Sequence, residues 1–399
     1  MPSSPPAARC RIACFVTPHG FGHATRVAAV LAELAVRLPL LADIYCAVPP
    51  WIFAQSLDCP LSCRPLVTDV GFVQRSAVEE DLPATLARLA GMLPFDAALI
   101  DTLAAELRQR HCRLVLCDIA ALGIAVARRA GIPSVLVENF TWDWIYGGYL
   151  EQCPGLMSYQ DQLRALYALA DHHVQAEPVC APRADAHQVG LICRAPRLSR
   201  PEARQRLGLR EDQALVLVTM GGVGAELDID ALRAHPEAVF LLPGGRGGER
   251  WQDNLRLLPA EGRWYHPDLM AASDLVVGKL GYSTLAEACQ SGTPFAVIGR
   301  PLFPESAVLA ALARQRLAVR ELASGAFADG SWLRQLPELL RLGRRPTVRQ
   351  RGAAEVAELL LGWLGGDHCR RSKAGSDEKK GLRLLVRREY FGMMQQRHS

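Results

Sequence analysis

The chain has 399 residues, half of them hydrophobic, and a mean hydropathy of +0.07. This length and apolar content predict two globular domains of ordinary size. The 45 basic and 41 acidic residues leave a net charge of only +4, which excludes any argument for nucleic-acid binding from charge alone.

The cysteines and the amino terminus favour a cytoplasmic protein. Twelve cysteines are spread between Cys10 and Cys369 without a CxxC pair or a His/Cys cluster at zinc spacing, which is typical of a reduced chain with buried thiols. Residues 1–11 lack the apolar segment of a secretory signal, and no apolar run approaches the roughly 20 residues of a membrane span. We expect a cytoplasmic protein without a bound metal or cofactor.

A strand, a glycine turn and a helix open the chain. The apolar residues Ile12–Val16 predict a buried strand, and Thr17–His23 predicts a turn. From Ala24 onward the apolar residues recur at helical spacing. This order of elements is typical of the first unit of an α/β sheet.

The turn carries two histidines, His19 and His23, and Arg26 follows in the helix. An imidazole titrates at about pH 6.5, so either histidine is a candidate general base. The alternative is that the histidines only hydrogen-bond the loop. Arg26 either faces the same cleft or is solvated.

The rest of the first half predicts alternating strands and helices, with a loop at Val70–Val78. Further strands are expected at Asp43–Val48, Cys59–Val67, Leu114–Cys117, Ser134–Val137 and His172–Gln175, the last being the final strand of this half. Helices are expected at Leu82–Leu93, Ala97–Gln109, Ala120–Arg129 and Leu163–Ala170.

Asp118 follows one of these strands directly. In a parallel sheet it would share an edge with the turn that carries His23, where a carboxylate can orient an imidazole and support its charged form. The alternative role for Asp118 is to cap the next helix.

An aromatic segment, Asn139–Leu150, predicts a loop and a short helix. Its tryptophans, Trp142 and Trp144, are candidates for an acceptor pocket, although aromatic clusters also fill cores. Residues 177–204 contain four prolines and predict a linker between the two halves.

The second half repeats the pattern of buried strand, glycine turn and helix. Strands are expected at Ala214–Thr219, Ala238–Leu242, Arg263–Tyr265, Leu275–Val277 and Ala296–Ile298, and helices at Glu202–Leu207, Leu269–Ala272, Glu305–Ala318, Leu333–Leu342 and Gln350–Leu364. The turns, such as Met220–Gly224, fall at the carboxyl ends of the strands, where ligands bind in open α/β sheets.

The stretch from Asp274 to Arg300 combines a strand, a sharp turn and a helix. Ser283 is expected to be the N-cap of the helix, with Thr284 opening it. Helix N-termini favour phosphate, and Glu287 in the next turn suits ribose or sugar hydroxyls. The alternative is that the glycines only form a turn and Glu287 only favours the helix dipole.

Two common motifs are absent, the phosphate-binding P-loop and the GxSxG motif of hydrolases. Gly244–Gly248 lacks the Gly-Lys-Ser/Thr ending of a P-loop, and Gly281-Tyr282-Ser283 does not continue as GxSxG. From Gly365 the composition becomes polar and basic, so residues 365–399 predict a flexible tail that is either solvated or in peripheral contact with a membrane or partner.

These motifs resemble the GT-B nucleotide-sugar glycosyltransferases, which have two Rossmann-like domains and a donor loop in the second. A closer resemblance is to the glycosyltransferase-like region of plant L-arabinokinases. It rests on HGFGHATR at His19–Arg26, NFTWDWIY at Asn139–Tyr146 and AASDLVVGKLGYSTLAEA at Ala271–Ala288. The resemblance implies an α/β fold with an acceptor domain at 11–176, a linker at 177–204 and a donor domain at 205–364. These residues contain no glycine-rich ATP loop, so we do not expect the arabinose kinase activity of those proteins here.

The resemblance also implies roles for individual residues. His23 would be the base that activates the acceptor hydroxyl and Asp118 its orienting carboxylate, in an inverting, metal-independent sugar transfer from a nucleoside-diphosphate sugar to an unknown acceptor. The implied donor-binding residues are Gly221, Gly222, His266, Lys279, Gly281, Ser283, Thr284, Glu287 and Glu305, and those of the acceptor pocket are His19, Arg26, Trp142 and Trp144. The competing hypothesis is a nucleotide-sugar-binding module without catalysis, with a nucleotide-sugar epimerase as a third.

Overall fold

The computed structural model describes residues 9–76, 79–221, 228–245 and 247–365. Its strands are β1 (Cys10–Val16), β2 (Leu40–Tyr45), β3 (Leu61–Arg64), β4 (Gln74–Ser76), β5 (Glu79–Glu80), β6 (Leu114–Asp118), β7 (Ser134–Glu138), β8 (His172–Ala176), β9 (His187–Val189), β10 (Ala214–Thr219), β11 (Ala238–Gly245), β12 (Arg250–Gln252), β13 (Leu255–Pro259), β14 (Leu275–Lys279), β15 (Phe295–Ile298) and β16 (Val319–Leu322).

The helices alternate with these strands. They are α1 (Phe21–Ala35), α2 (Trp51–Ala54), α3 (Leu82–Met92), α4 (Ala97–Gln109), α5 (Ala121–Ala130), α6 (Trp142–Gly147), α7 (Met157–Tyr167), α8 (Arg200–Arg206), α9 (Ile229–Arg233), α10 (His266–Ala272), α11 (Tyr282–Ser291), α12 (Glu305–Arg316), α13 (Ser324–Ala328), α14 (Leu336–Leu339) and α15 (Gly352–Gly365). In the described part of the chain, no helix combines the length and the apolar character needed to cross a membrane.

Two seven-stranded sheets organise the fold. The first has the strand order β3-β2-β1-β6-β7-β8-β9, with parallel pairing throughout. The second has the order β12-β13-β11-β10-β14-β15-β16 and is parallel except for β12. Their central strands are fully buried apolar runs, as expected for sheets covered on both faces. The expected class, α/β with two Rossmann-like halves, is confirmed.

The topology determines where a ligand can bind. Strand order reverses between β1 and β6 in the first sheet and between β10 and β14 in the second. We call these two places the first and the second switch point. Crevices form outside the carboxyl ends of the strands at such points. The segments after these four strands hold most of the predicted site residues.

Close packing maintains the second switch point. A Cβ added to Gly278 would lie 1.8 Å from the carbonyl oxygen of Thr219, so only glycine allows β10 and β14 to pair here. The cores of the two halves also meet, because Phe303, which follows β15, packs within the aromatic core of the first half beside Phe72 and Phe140.

Three expectations about the elements were wrong. Arg263–Tyr265 is not a strand: the strand is Leu255–Pro259, which contributes Leu255 and Leu258 to the buried core, whereas the Trp264 indole donates a hydrogen bond to Glu249. His172–Ala176 is not the final strand of the first sheet, since β9, within the predicted linker, pairs with it. The Val70–Val78 loop contains β4. The tail predicted at 365–399 lies outside the described residues beyond Gly365.

Candidate functional site

A cleft of about 650 Å³ lies over the two switch points. It is lined by the segment after β1, the end of β14 with the start of α11, and the segments after β10 and β15. Helix α1 begins at Phe21, three residues earlier than expected, because Gly20 with φ of 80° turns the chain sharply after β1. His23 therefore lies in the first turn of a helix rather than in a loop.

His23 and Asp118 are brought together at the first switch point. The imidazole Nδ1 lies 2.7 Å from Asp118 Oδ1, and Asp118 is fully buried. Burial alone would raise the pKa of Asp118, but the charge of Arg26 and the hydrogen bonds from Arg26 and His23 outweigh it and lower that pKa. Asp118 is thus an ionised acceptor, and the Nδ1–H of His23 is its donor.

Arg26 lines the cleft, the first of the two alternatives, but it is buried rather than solvated. It is 1% exposed and donates to both oxygens of Asp118, at 2.7 and 2.6 Å, and to Asn139 at 2.6 Å. Its terminal nitrogen also lies 3.2 Å from His23 Nδ1. Arg26 is one turn after His23 on α1, so one helix supplies both partners of the carboxylate.

The predicted acceptor pocket is only partly supported. His19 lines the cleft, and its pKa is held well below the usual value by burial and by the nearby charges of Arg300 and Lys279. Trp142 is fully buried behind it, with ring centroids 5.0 Å apart, and belongs to the core. Trp144 also packs against that core, and it is not among the residues that line the cleft. Trp142 thus fills the hydrophobic interior, and Trp144 packs against it while partly exposed.

A second carboxylate cluster lies at the other end of the cleft. Glu287 on α11 is 3% exposed; Arg194 donates to its Oε1 at 2.9 Å, and His266 Nδ1 lies 2.7 Å from its Oε2. Burial would raise the pKa of Glu287, but Arg194 and His266 lower it. Arg194 also stacks over Tyr265, with its guanidinium carbon 5.1 Å from the ring centroid.

Ser283 does not cap α11. The N-cap is Gly281, and the Ser283 hydroxyl donates to the carbonyl of Gly22 at 2.8 Å and lies 3.0 Å from the Thr25 hydroxyl. The start of α11 is therefore joined directly to the start of α1. Gly281, Ser283 and Thr284 all line the cleft beside this junction.

Lys279 is the last residue of β14 and lines the cleft near Gly221. Burial and the charge of Arg300 lower the pKa of Lys279 to about 8. Glu305, at the start of α12, is 7% exposed and accepts a hydrogen bond from Asn139 at 2.7 Å. Burial raises the pKa of Glu305, although the bond from Asn139 opposes this. Gly222 lies outside the described residues.

Several residues of the site were not identified from sequence. Asn139 connects Arg26 to Glu305, and Arg300 forms an ion pair with Glu80 and stacks 3.8 Å over Phe303. Asn139 was within a motif already noted. No sequence pattern indicated Arg194 or Glu80, because each contacts a partner more than 90 positions away in the chain.

Comparisons with known proteins agree on one architecture. The chain is 28% identical over 380 residues to the L-arabinokinase of Arabidopsis thaliana, covering 94% of this chain and 36% of that protein. It is 31% identical over 225 residues to the UDP-N-acetylglucosamine–N-acetylmuramyl-(pentapeptide) pyrophosphoryl-undecaprenol N-acetylglucosamine transferase of Thermus thermophilus, covering 50% of this chain and 63% of that one. The chain thus spans just over a third of the first relative and less than two thirds of the second.

Solved structures extend this likeness to the whole fold. CalG4, the calicheamicin glycosyltransferase, superposes with a TM-score of 0.58 at 14% sequence identity, over 90% of this chain and 99% of that one. No protein-family model matches the chain. The two facing α/β halves and the cleft over their switch points are those of the glycosyltransferase fold GT-B.

Proposed function

We propose that the protein is a glycosyltransferase that moves a sugar from a nucleoside-diphosphate sugar to an acceptor hydroxyl with inversion at the anomeric carbon. The observation that carries this proposal is the 2.7 Å contact between His23 Nδ1 and the buried Asp118, at the edge of the cleft of a GT-B fold. The name of the bacterial relative specifies a UDP-linked sugar, which favours the same donor class here.

His23 would act as the general base. With Nδ1–H donated to Asp118, the lone pair of Nε2 is free to accept the proton of an acceptor hydroxyl. The acceptor oxygen then forms a bond to the anomeric carbon, and the bond from that carbon to the phosphate oxygen breaks with its electron pair. Asp118 fixes the orientation of the ring and stabilises the imidazolium that forms.

The second half would hold the donor. Glu287 retains lone pairs for ribose hydroxyls after accepting from Arg194 and His266, because an ionised carboxylate offers about four acceptor sites. The free N–H groups at the start of α11 are suited to the diphosphate. We propose that these dipoles and nearby cations stabilise the leaving group without a metal ion.

A nucleotide-sugar-binding module without catalysis is the second candidate, and one observation favours it. Arg26 donates to both oxygens of Asp118 and so shares the negative charge that would stabilise a protonated His23. A carboxylate neutralised in this way supports an imidazolium less than a free carboxylate does. This candidate predicts donor binding without turnover.

The test begins with a thermal-shift screen of nucleoside diphosphates and their sugars, because a ligand of the native state raises its apparent stability. The donor that stabilises the protein is then assayed for transfer and hydrolysis. His23→Gln is expected to lower turnover by about 10²- to 10⁴-fold while donor binding persists.

His173→Gln is the matched control. His173 Nε2 lies 2.8 Å from the buried Glu138, so this pair has similar geometry but does not line the cleft. Turnover should be unchanged in this variant. Equal turnover in wild type and His23→Gln would contradict the assignment of the base, and binding without any turnover would favour the module.

A further inference from the structure

The aromatic side chains of the first half pack against one another. Trp142, Tyr146 and Tyr149 are at most 1% exposed, and the ring centroid of Phe72 lies between 4.8 and 6.2 Å from each of theirs. Phe303 of the second half completes this aromatic cluster, with its ring centroid 6.3 Å from that of Phe72. An apolar acceptor that entered here would have to displace close-packed rings.

Two buried contacts join the halves beside the aromatic cluster. Glu80 on β5 forms an ion pair with Arg300, which follows β15, and neither side chain is more than 7% exposed. Asn139, which follows β7, donates a hydrogen bond to Glu305 at 2.7 Å. Separating the halves at this end would leave buried charges without their partners, so we expect the cleft to stay narrow here.

The side chains around the base are mostly polar. His19, Arg300 and Glu305 line the cleft together with His23. Burial is the largest influence on the lowered pKa of His19 and on the raised pKa of Glu305, and the charges of Arg300 and His23 act on both. The four residues are therefore close neighbours, and they offer hydrogen-bond donors and acceptors to a ligand.

Two phenyl rings complete this part of the cleft. Phe140 meets the ring of His23 edge-on, with centroids 5.8 Å apart, and the Phe303 centroid lies 6.0 Å from that of Phe140. The guanidinium of Arg300 stacks over Phe303 at 3.8 Å. A few polar groups beside aromatic rings fix the orientation of a small ligand. The combination suits a molecule with C–H groups on its ring and hydroxyls around it.

We propose that the acceptor is a small polyhydroxylated molecule, a free sugar or another polyol, rather than an apolar aglycone; the inference rests on the proposed transfer reaction. One hydroxyl passes its proton to Nε2 of His23, its oxygen bonds to the anomeric carbon, and the electron pair of the breaking bond moves to the diphosphate. Neighbouring hydroxyls donate to Glu305 and accept from Arg300. An apolar acceptor leaves these two buried side chains without those hydrogen bonds, so polyols should be preferred by about 10²-fold or more.

Saturation-transfer NMR on the full chain tests acceptor binding without turnover. The probes are glucose, xylose and myo-inositol, each with and without UDP, and p-nitrophenol and 4-methylumbelliferone as apolar molecules that also carry a hydroxyl. At least one polyol should give saturation transfer at a concentration at which the phenols give none. The same polyol should then be the acceptor in transfer assays with the donor that binds.

Two variants test the residues that hold the polyol. Glu305→Gln keeps an acceptor for Asn139 but replaces the other carboxylate oxygen with a donor, and should weaken polyol binding about tenfold or more. The double variant Glu80→Gln, Arg300→Met removes both charges of the buried pair, so that neither is left unpaired. It should weaken polyol binding by a similar factor, because the donor at Arg300 is lost.

An ion pair outside the cleft supplies the matched control. Arg316 on α12 lies 2.6 Å from Glu177, and neither residue lines the cleft. The double variant Glu177→Gln, Arg316→Met should bind the polyol as wild type does. Equal affinities in wild type and all three variants would overturn the roles of Arg300 and Glu305.

The outcomes separate this inference from the proposed function. Transfer to a phenol and to no polyol overturns the inference and spares the proposed function. Polyol binding that depends on Glu305, when no nucleoside diphosphate or its sugar binds, supports the polyol site and overturns the proposed transfer. Absence of polyol binding, with and without UDP, overturns the inference.

Discussion

The two ends of the cleft are built around the same arrangement of side chains. At one end Asp118 accepts from Arg26 and lies 2.7 Å from the Nδ1 of His23. At the other, Glu287 accepts from Arg194 and lies 2.7 Å from the Nδ1 of His266. In both clusters the cation and the histidine outweigh burial and lower the pKa of the carboxyl group.

The clusters differ in how they are assembled. His23 and Arg26 are one turn apart on α1, so a single helix brings both to Asp118. In contrast, Arg194 comes from the segment between β9 and α8 and His266 from α10, so two separate segments supply the partners of Glu287. The comparison teaches that a carboxylate–histidine contact does not by itself identify a catalytic base, since both ends of this cleft have one. Both histidines line the cleft and both use Nδ1 for this contact, so only substitution of each one can assign its role.

The largest expected effect is on stability, from removing the carboxylate charges. Asp118→Asn leaves Arg26 buried at 1% exposure without its counter-charge, and should lower the free energy of unfolding by about 3–5 kcal/mol. Glu287→Gln should cost less, about 1–3 kcal/mol, because the side chain of its partner His266 is 25% exposed and can be solvated in part once the carboxylate charge is lost. Denaturant unfolding measures both values.

A second substitution tests the reason for this difference. Arg26→Met in the Asp118→Asn background removes the stranded cation and should recover part of the lost stability. If the double variant is no more stable than the single one, then the uncompensated charge is not the cause. Equal losses of unfolding free energy in Asp118→Asn and Glu287→Gln would show that the cost does not depend on whether one helix or two segments supply the partners of the carboxylate.

Sequence reasoning predicted the strands better than the contacts that hold the site residues in place. Periodic apolar runs located the strands at Ala214–Thr219 and Ser134–Val137 within one residue, because a strand covered on both faces has a continuous apolar pattern. The Arg263–Tyr265 prediction failed because local propensity does not report which of two nearby segments is buried.

The proximity of His23 to Asp118 was predictable because parallel strands end at a common edge. The role of Arg26 was not, since its partner lies 92 positions away and the same residue type at the same helix position could equally be solvated. The burial of Trp142 could not be read from sequence either, because an aromatic side chain suits a core and a pocket equally.

A third buried carboxylate, Asp69, has no cationic partner among the described residues, so it can be compared with Asp118 and Glu287, which both have one. Its Oδ1 accepts from Thr17 at 2.6 Å, and the Trp142 indole also faces the carboxyl group. Burial raises the pKa of Asp69 to about 7, although the hydrogen bonds from Thr17 and Trp142 oppose this.

Because its pKa is raised, Asp69 gives the free energy of unfolding a pH dependence opposite in sign to that from Asp118 and Glu287, whose pKa values are lowered. Between about pH 4 and 7 the unfolded chain ionises Asp69 while the folded chain keeps it protonated, so wild-type stability falls as the pH rises, by at most about 1.4 kcal/mol per pH unit from this group. Asp69→Asn should remove that component, and the variant should gain on wild type over the same pH range in unfolding experiments. Parallel pH profiles for the two proteins would contradict the raised pKa of Asp69.

The smallest expected effect concerns the link between the two ends. The hydroxyls of Ser283 and Thr25, 3.0 Å apart, join the starts of α11 and α1. Ser283→Ala should lower the free energy of unfolding by about 1 kcal/mol. A double-mutant cycle with Thr25→Val should give a coupling energy of about 0.5–1 kcal/mol, because the two hydroxyls share one hydrogen-bonded network.

Thr102 supplies the control for this cycle, because its exposed hydroxyl donates within helix α4, to the carbonyl of Ala98. Ser283→Ala and Thr102→Ala should be additive. A coupling below about 0.3 kcal/mol in the Thr25 cycle would mean that the two helices are held together by packing rather than by this hydrogen bond. Helix α11 would then be positioned by contacts such as that of Arg26 over the Tyr282 ring, at 4.9 Å, which joins the same two helices without a hydroxyl.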